Sequence, residues 1–129
     1  MIAKERKELK AEIAASTIPI LLGNGRASSL IAWRLYRTIG TVSLHLGTKR
    51  QLTDLVSLYS VFHPAATDHR LLLEQLSDIF EEFDAYLLFL VPTDKPSRDF
   101  LAANRDFLQT RFILSEPNEV LEHIPSLTG

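Results

Sequence analysis

The residues whose types and spacing suit ligand chemistry fall in two short segments. The first is Gly23-Asn24-Gly25 and the residues just after it, where a glycine turn meets the start of a helix and exposes backbone N–H groups. The second follows the apolar run Ala85–Val91. Ligands of open parallel sheets bind beyond the carboxyl ends of the strands. We therefore predict a pocket for a substrate or ligand lined by Gly23, Asn24, Gly25, Arg26, Ser28, Thr93 and Asp94, although tight-turn chemistry alone also explains both segments.

The same residues do not make up a complete catalytic site. Ser28 stands at the third glycine position of a dinucleotide fingerprint, and the Gly-Lys-Ser/Thr ending of a P-loop is missing. No Gly-x-Ser-x-Gly elbow is present. The four histidines are scattered without metal-ligand spacing, so each is predicted to be structural or solvated: His45, His63, His69 and His123. We predict no catalytic residue and no metal site.

Composition narrows the class of partner. Fourteen Lys and Arg residues stand against sixteen Asp and Glu, a formal net charge of −2, which gives no electrostatic reason to expect nucleic acid or an anionic membrane. The absence of cysteine excludes disulfides, thiolate catalysis and cysteine-ligated metals. No apolar run approaches the roughly 18–20 residues of a membrane helix. The default expectation is a cytoplasmic protein that binds a small molecule.

The elements that must position these residues alternate along the chain. The predicted strands are Thr17–Leu22, Thr41–Leu46, Ala85–Val91 and Arg111–Leu114; the predicted helices run from the glycine turn to Ile39, from Asp68 to Asp84, from a Ser97 cap to Thr110, and from an Asn118 cap to Ile124. Asn24 or Ser28 is the predicted cap of the first of these helices. Residues 51–66 fit either a helical turn or a short strand ending at His63-Pro64.

This alternation predicts an α/β, three-layer Rossmann-like fold. We expect a mainly parallel sheet of four to five strands with helices on both faces, preceded by an N-terminal helix. Residues 1–16 form a predicted helical arm, either packed on the domain or docking a partner subunit, as in a homodimer. Residues 17–129 form the single domain.

The end of the second strand bears on dinucleotide binding. An acidic residue there would hold the ribose, but the sequence offers Gly47, Thr48 or Lys49. A conventional NAD site is disfavoured, while an NADP site using Lys49 and Arg50 stays open as an alternative.

Two stretches resemble the N-terminal, pre-ATP-grasp domain of ATP-grasp carboxylate–amine ligases. They are Ile-Pro-Ile-Leu-Leu-Gly-Asn-Gly-Arg-Ala (18–27) and Tyr-Leu-Leu-Phe-Leu-Val-Pro-Thr-Asp (86–94), continued by Arg-Phe-Ile-Leu-Ser-Glu-Pro (111–117). The resemblance implies a substrate-side domain without catalysis of its own, in which Gly23, Asn24, Gly25, Arg26, Thr93 and Asp94 line the carboxylate or amine pocket. ATP and magnesium would be held by ATP-grasp lobes, in cis or in trans, because the chain ends at Gly129 where those lobes would begin.

Two further hypotheses stay open beside the ligase domain. One is a stand-alone regulatory module that binds a nucleotide or another metabolite. The other is an NAD(P)-binding domain of the dehydrogenase type.

Overall fold

The computed structural model describes residues 16–24, 26–48 and 60–126. Strands and helices alternate along these segments. In chain order the elements are β1 Thr17–Leu22, α1 Arg26–Ile39, β2 Ser43–Gly47, β3 Ser60–Pro64, α2 His69–Glu82, β4 Leu87–Pro92, α3 Lys95–Ala103, α4 Arg105–Leu108, β5 Ile113–Leu114 and α5 Pro117–Ser126.

The five strands form one sheet in the order β3-β2-β1-β4-β5. Every neighbouring pair is parallel. From β1 the chain adds β2 and β3 on one side, then returns to add β4 and β5 on the other. The strand order therefore reverses between β1 and β4, and their carboxyl ends flank the crevice in which such sheets bind ligands.

Both faces of the sheet are covered. Alternate residues of β1 separate onto two cores: Ile20 and Leu22 pack with residues of α2, α3 and α4, whereas Leu21 packs with residues of α1 and with Val120 of α5. β4 divides in the same way, which explains why its sequence is apolar without alternation. The predicted three-layer, Rossmann-like α/β fold is confirmed, with all five strands parallel.

Pro19 shows how this sheet accommodates a proline in a central strand. Pairing of β1 with β2 begins only at Ile20, opposite Leu44, whereas pairing with β4 already begins at Thr17. At Pro19 the strand thus has β4 alone as a neighbour. The N–H that proline lacks is therefore not needed for hydrogen bonds to β2.

Helix starts are where the sequence predictions fail most. The predicted helix from a Ser97 cap to Thr110 is wrong, since α3 begins at Lys95 with Asp94 as its cap and ends at Ala103, and Asn104 separates it from the short α4. The Asp94 carboxylate reaches the Ser97 backbone N–H, and Pro96 fits the first turn, where no donor is required. The side chain of Asn104 donates to the Phe100 carbonyl, so the chain turns there.

Two other predicted caps are also wrong. Ser28 is the third residue of α1 and cannot be its cap; the residue before α1 is Gly25, which lies outside the described residues. Asn118 lies inside α5, which begins two residues earlier than its predicted first residue, at Pro117. The Glu119 carboxylate there accepts a hydrogen bond from the Glu116 N–H at 3.0 Å, which satisfies a donor at the helix start.

The sequence pattern of residues 51–66 allowed either a helical turn or a short strand. Residues 60–64 form the strand β3, at one edge of the sheet. The helical alternative for residues 51–59 and the arm predicted for residues 1–15 fall outside the described residues.

Candidate ligand-binding cleft

Asp94 joins the two loops that meet at the strand-order reversal. One carboxylate oxygen, Oδ2, accepts a hydrogen bond from the backbone N–H of Asn24 at 2.8 Å. The other, Oδ1, accepts from the backbone N–H of Ser97 at 3.0 Å and so caps α3. One side chain thus fixes the loop after β1, the loop after β4 and the start of a helix.

The environment of Asp94 keeps it ionised. Burial of the carboxyl group raises its pKa, but hydrogen bonds from the Ser97 hydroxyl and from the backbone N–H groups of Asn24 and Ser97, with the nearby charge of Arg98, more than offset this. The net effect is a pKa below the ordinary value of 3.8. At neutral pH the loops therefore meet around a negative charge.

The close approach of the loops depends on Gly23. Its φ is +136°, in a region that side-chain-bearing residues rarely adopt. A Cβ at this position would lie 2.9 Å from the Asp94 carboxylate carbon and would also collide with the Thr93 hydroxyl. Glycine is required here both for its backbone conformation and for the absence of a side chain.

A second connection between these loops lies beneath the surface. The Thr93 hydroxyl donates to the Leu22 carbonyl at 3.1 Å, and the hydroxyls of Ser28 and Thr93 are 2.8 Å apart. Because Thr93 has a single hydroxyl proton, Ser28 must be the donor in the second bond. Both side chains are buried, so this pair braces α1 against the end of β4.

The end of β2 joins the same arrangement through His45. The imidazole is 1% exposed, and its Nε2 lies 2.8 Å from the Gly23 carbonyl, so Nε2 bears the proton and donates it. Asn24 donates from its side-chain amide to the Thr48 hydroxyl at 2.7 Å. Gly47 leaves room for these contacts, since a Cβ there would lie 2.8 Å from the Asn24 amide oxygen.

A cleft of about 290 Å³ opens at this edge of the sheet, on the face covered by α2 and α3. The size is at the lower end of the roughly 300–1,000 Å³ of small-molecule sites. Much of its wall is apolar, and the remainder is backbone, short polar side chains, the His69 imidazole and the Asp94 carboxylate. The cleft is lined by Leu22, Gly23, Asn24, Leu46, Gly47, Thr48, Ala65, Ala66, Thr67, His69, Leu72, Asp94, Pro96, Ser97 and Phe100.

The electrostatics of this cleft favour hydrogen-bond donors over anions. The carboxylate lining it is Asp94, and no lysine or arginine among the described residues lines it. The two helices that begin beside it are already capped by carboxylates, α2 by Asp68 and α3 by Asp94. Their N-termini are therefore not available as the phosphate sites that uncapped helices provide.

The predicted site residues separate into groups. Gly23, Asn24 and Asp94 line the cleft, whereas Ser28 and Thr93 form the buried brace behind it. Arg26 is exposed on α1 and does not line the cleft. Gly25, Lys49 and Arg50 lie outside the described residues.

Sequence reasoning missed several parts of this arrangement. His45 was assigned no role beyond a structural or solvated one, although the alternation of β2 places it on the face opposite Leu44 and Leu46. Its partner is a carbonyl 22 residues away, which a local pattern does not reveal. His69, whose ring packs edge-on against Phe100 with 5.1 Å between centroids, lines the cleft and had no sequence signal for that position. The side chain of His123 is not among those described.

The described residues lack two other kinds of functional feature. No group of three or more His, Asp or Glu side chains in these segments is arranged to hold a metal ion. None of the described helices combines the length and apolarity needed to cross a membrane.

The fold and the cleft define an α/β domain of the Rossmann-like class, with a ligand-sized opening where the strand order reverses. Comparisons of the chain with protein-family models, with curated proteins and with solved structures found no match.

Proposed function

We infer that the chain is a small-molecule-binding domain whose cleft takes an amine with an apolar body. The observation that supports this most strongly is the ionised Asp94 carboxylate in a cleft without a described cation. Three donors already bind this carboxylate, from Asn24 and from the backbone and hydroxyl of Ser97. A carboxylate has about four acceptor positions, so one is left for a ligand.

The rest of the wall selects the remainder of the ligand. Leu46, Leu72 and Phe100 are buried apolar residues that line the cleft, so an aliphatic or aromatic body would be removed from water there. An ammonium group that reaches Asp94 would exchange water for a charge-assisted hydrogen bond. A carboxylate or phosphate in the same place would meet Asp94 without a compensating positive charge.

Within the ligase resemblance, this chemistry corresponds to the amine side of a carboxylate–amine ligase. We propose that the chain is then a substrate-side domain, and that ATP and magnesium are bound by ATP-grasp lobes in cis or in trans. Its support is that Asn24 and Asp94, which belong to different loops assigned to the substrate pocket by the resemblance, are hydrogen-bonded to each other in one cleft. We expect the purified chain alone not to hydrolyse ATP in the presence of magnesium, and turnover would refute this ligase role.

Two ligands of matched shape and opposite charge test the binding proposal. Phenethylamine and 3-phenylpropionate can be titrated separately while the amide signals of Asn24 and Asp94 are followed by NMR. The amine should shift these signals saturably, whereas the carboxylate should bind at least about tenfold more weakly. Equal binding of the two, or tighter binding of the carboxylate, would refute the proposal.

Variants localise the effect. Asp94→Asn should weaken phenethylamine binding about tenfold, because the ligand ammonium loses its charged acceptor. Asp99→Asn is the matched control, since Asp99 lies on the same helix and pairs with Lys95 at 3.1 Å in an exposed position away from the cleft. Far-UV circular dichroism checks that both variants are folded, and an unchanged affinity in folded Asp94→Asn would exclude Asp94 as the ligand's partner.

A further inference from the structure

A second, smaller cleft lies at the carboxyl ends of β4 and β5, on the other side of α3 from the first. Its volume is about 190 Å³, smaller than the roughly 300–1,000 Å³ of sites for drug-sized ligands. A ligand of only a few non-hydrogen atoms therefore suits its size. Pro92, Leu101, Ala102 and Leu114 supply apolar wall, and four charged side chains together with Ser115 supply the polar wall.

The four charges are balanced, two of each sign. Arg98 and Arg105 come from α3 and α4, while Glu116 and Glu119 stand at the start of α5. A simple anion that reached the arginines would also meet the glutamates, and a simple cation would meet the arginines. A ligand that has both charges satisfies both pairs, and such opposed charges reject a ligand that has only one.

Both the basic and the acidic side of this cleft have hydrogen-bonding atoms without a partner among the described residues. Arg98 donates from Nε to the Glu116 carboxylate at 3.1 Å, while its outer guanidinium nitrogens have no hydrogen-bond partner among the described residues. Arg105 has no ion-pair partner in the same part of the chain. On the acidic side, Oε1 of Glu119 accepts from the Glu116 N–H, and no described residue bonds to Oε2.

Ser115 adds a buried polar residue to the wall of this cleft. It follows β5, lines this cleft and is 4% exposed, yet its hydroxyl oxygen has no hydrogen-bond partner in the described segments. This oxygen is closed off from solvent, so a ligand in the cleft would contact the charged side chains and not this hydroxyl.

We propose that this cleft binds a small zwitterion, a free α-amino acid with a short aliphatic side chain. Its carboxylate would bind Arg98 and Arg105, its ammonium group would bind Glu119, and its side chain would contact Leu101 and Leu114. This proposal is independent of the function proposed for the first cleft, because the two openings are lined by different residues.

Three compounds with one carbon skeleton test it. L-Alanine has both charges, propionate lacks the ammonium group and ethylamine lacks the carboxylate. Amide shifts of Ser115 and Glu119 in a ¹⁵N-labelled sample report binding at this cleft. L-Alanine should give saturable shifts, and each single-charge compound should bind at least about tenfold more weakly. Absence of saturable shifts with L-alanine, or equal binding of propionate or ethylamine, would overturn the proposal.

Two variants place the ligand. Arg105→Gln removes one exposed cation and should weaken L-alanine binding about tenfold. Arg111→Gln is its control, because Arg111 stacks on Phe107 at 4.0 Å from the ring centroid and does not line the cleft. Unchanged affinity in Arg105→Gln, or equal losses in Arg105→Gln and Arg111→Gln, would overturn the assignment.

Discussion

Replacement of Asp94 by alanine tests whether this carboxylate connects two loops or merely caps a helix. Loss of the α3 cap costs about 1 kcal/mol, within a usual range of about 0.5–2. Loss of the bond from Asn24 N–H adds about 1–2 kcal/mol, less than the full value for a charged acceptor because Asp94 is partly solvated. We expect Asp94→Ala to lower the free energy of unfolding by about 2–3 kcal/mol.

Asp68 is the matched reference for this measurement. It caps α2 through bonds from the backbone N–H groups of Arg70 and Leu71, at 2.8 and 3.2 Å, and both bonds are local and exposed. Asp68→Ala should therefore cost only the cap, about 1 kcal/mol. Urea unfolding followed by far-UV circular dichroism gives both values. If Asp94→Ala destabilises the fold no more than Asp68→Ala does, the bond to Asn24 does not stabilise the protein and the argument for a connected pair of loops fails.

The pH dependence of the same protein gives an independent check. Folding lowers the pKa of Asp94 from its ordinary value of 3.8, so the ionised carboxylate stabilises the folded state above that pH. This stabilisation is lost as the pH falls through the lower, folded pKa. The difference in unfolding free energy between wild type and Asp94→Asn should be constant near neutrality and decrease below about pH 4. A difference that persists unchanged to the most acidic pH at which the protein stays folded would contradict the lowered pKa.

The other predictions concern the backbone and the buried brace. Gly23→Ala should lower the free energy of unfolding by about 3 kcal/mol or more, because it adds both an unfavourable φ and a collision with Asp94. Gly40→Ala, at φ +77° with open space around it, should lower it by about 1 kcal/mol, and urea unfolding measures both values. Equal losses in the two variants would show that the collision at Gly23 is relieved. Thr93→Val should destabilise more than Ser28→Ala, by about 1 kcal/mol, since only the former leaves a buried hydroxyl donor without its acceptor. A double-mutant cycle of these two changes should reveal a coupling of about 1 kcal/mol, and strict additivity would refute the brace.

The sequence allowed the fold to be predicted where local chemistry decides. The helix after Asp68 was predicted with its correct cap, because an aspartate directly precedes a clear helical periodicity. The run up to Val91 indicated a central strand covered on both faces, which β4 is. At Asp94 and Ser97 two good caps stand three residues apart, and local chemistry does not decide between them.

The candidate site was predictable in place but not in detail. Topology brings the carboxyl ends of β1 and β4 together, so the two loops were correctly expected at one edge. Which residues face a ligand and which face each other depends on bonds between distant positions: Asn24 and Asp94 are 70 residues apart, and Ser28 and Thr93 are 65 apart. Residues that looked alike as site candidates therefore divided into cleft wall and internal support.

The central position of β1 has a consequence for the order in which the protein assembles. Its partner on one side, β2, follows it closely, but its partner on the other side begins at Leu87, 70 residues after Thr17 in register. Until β4 is synthesised, one edge of β1 has unpaired N–H and C=O groups, the kind of edge at which chains associate. Because synthesis proceeds at about 5–20 residues per second, this edge stays open for several seconds on the ribosome. Pulse-labelling hydrogen exchange during refolding should accordingly show the β1 amides that bond to β4 becoming protected together with β4, and protection of those particular amides before β4 would contradict this order.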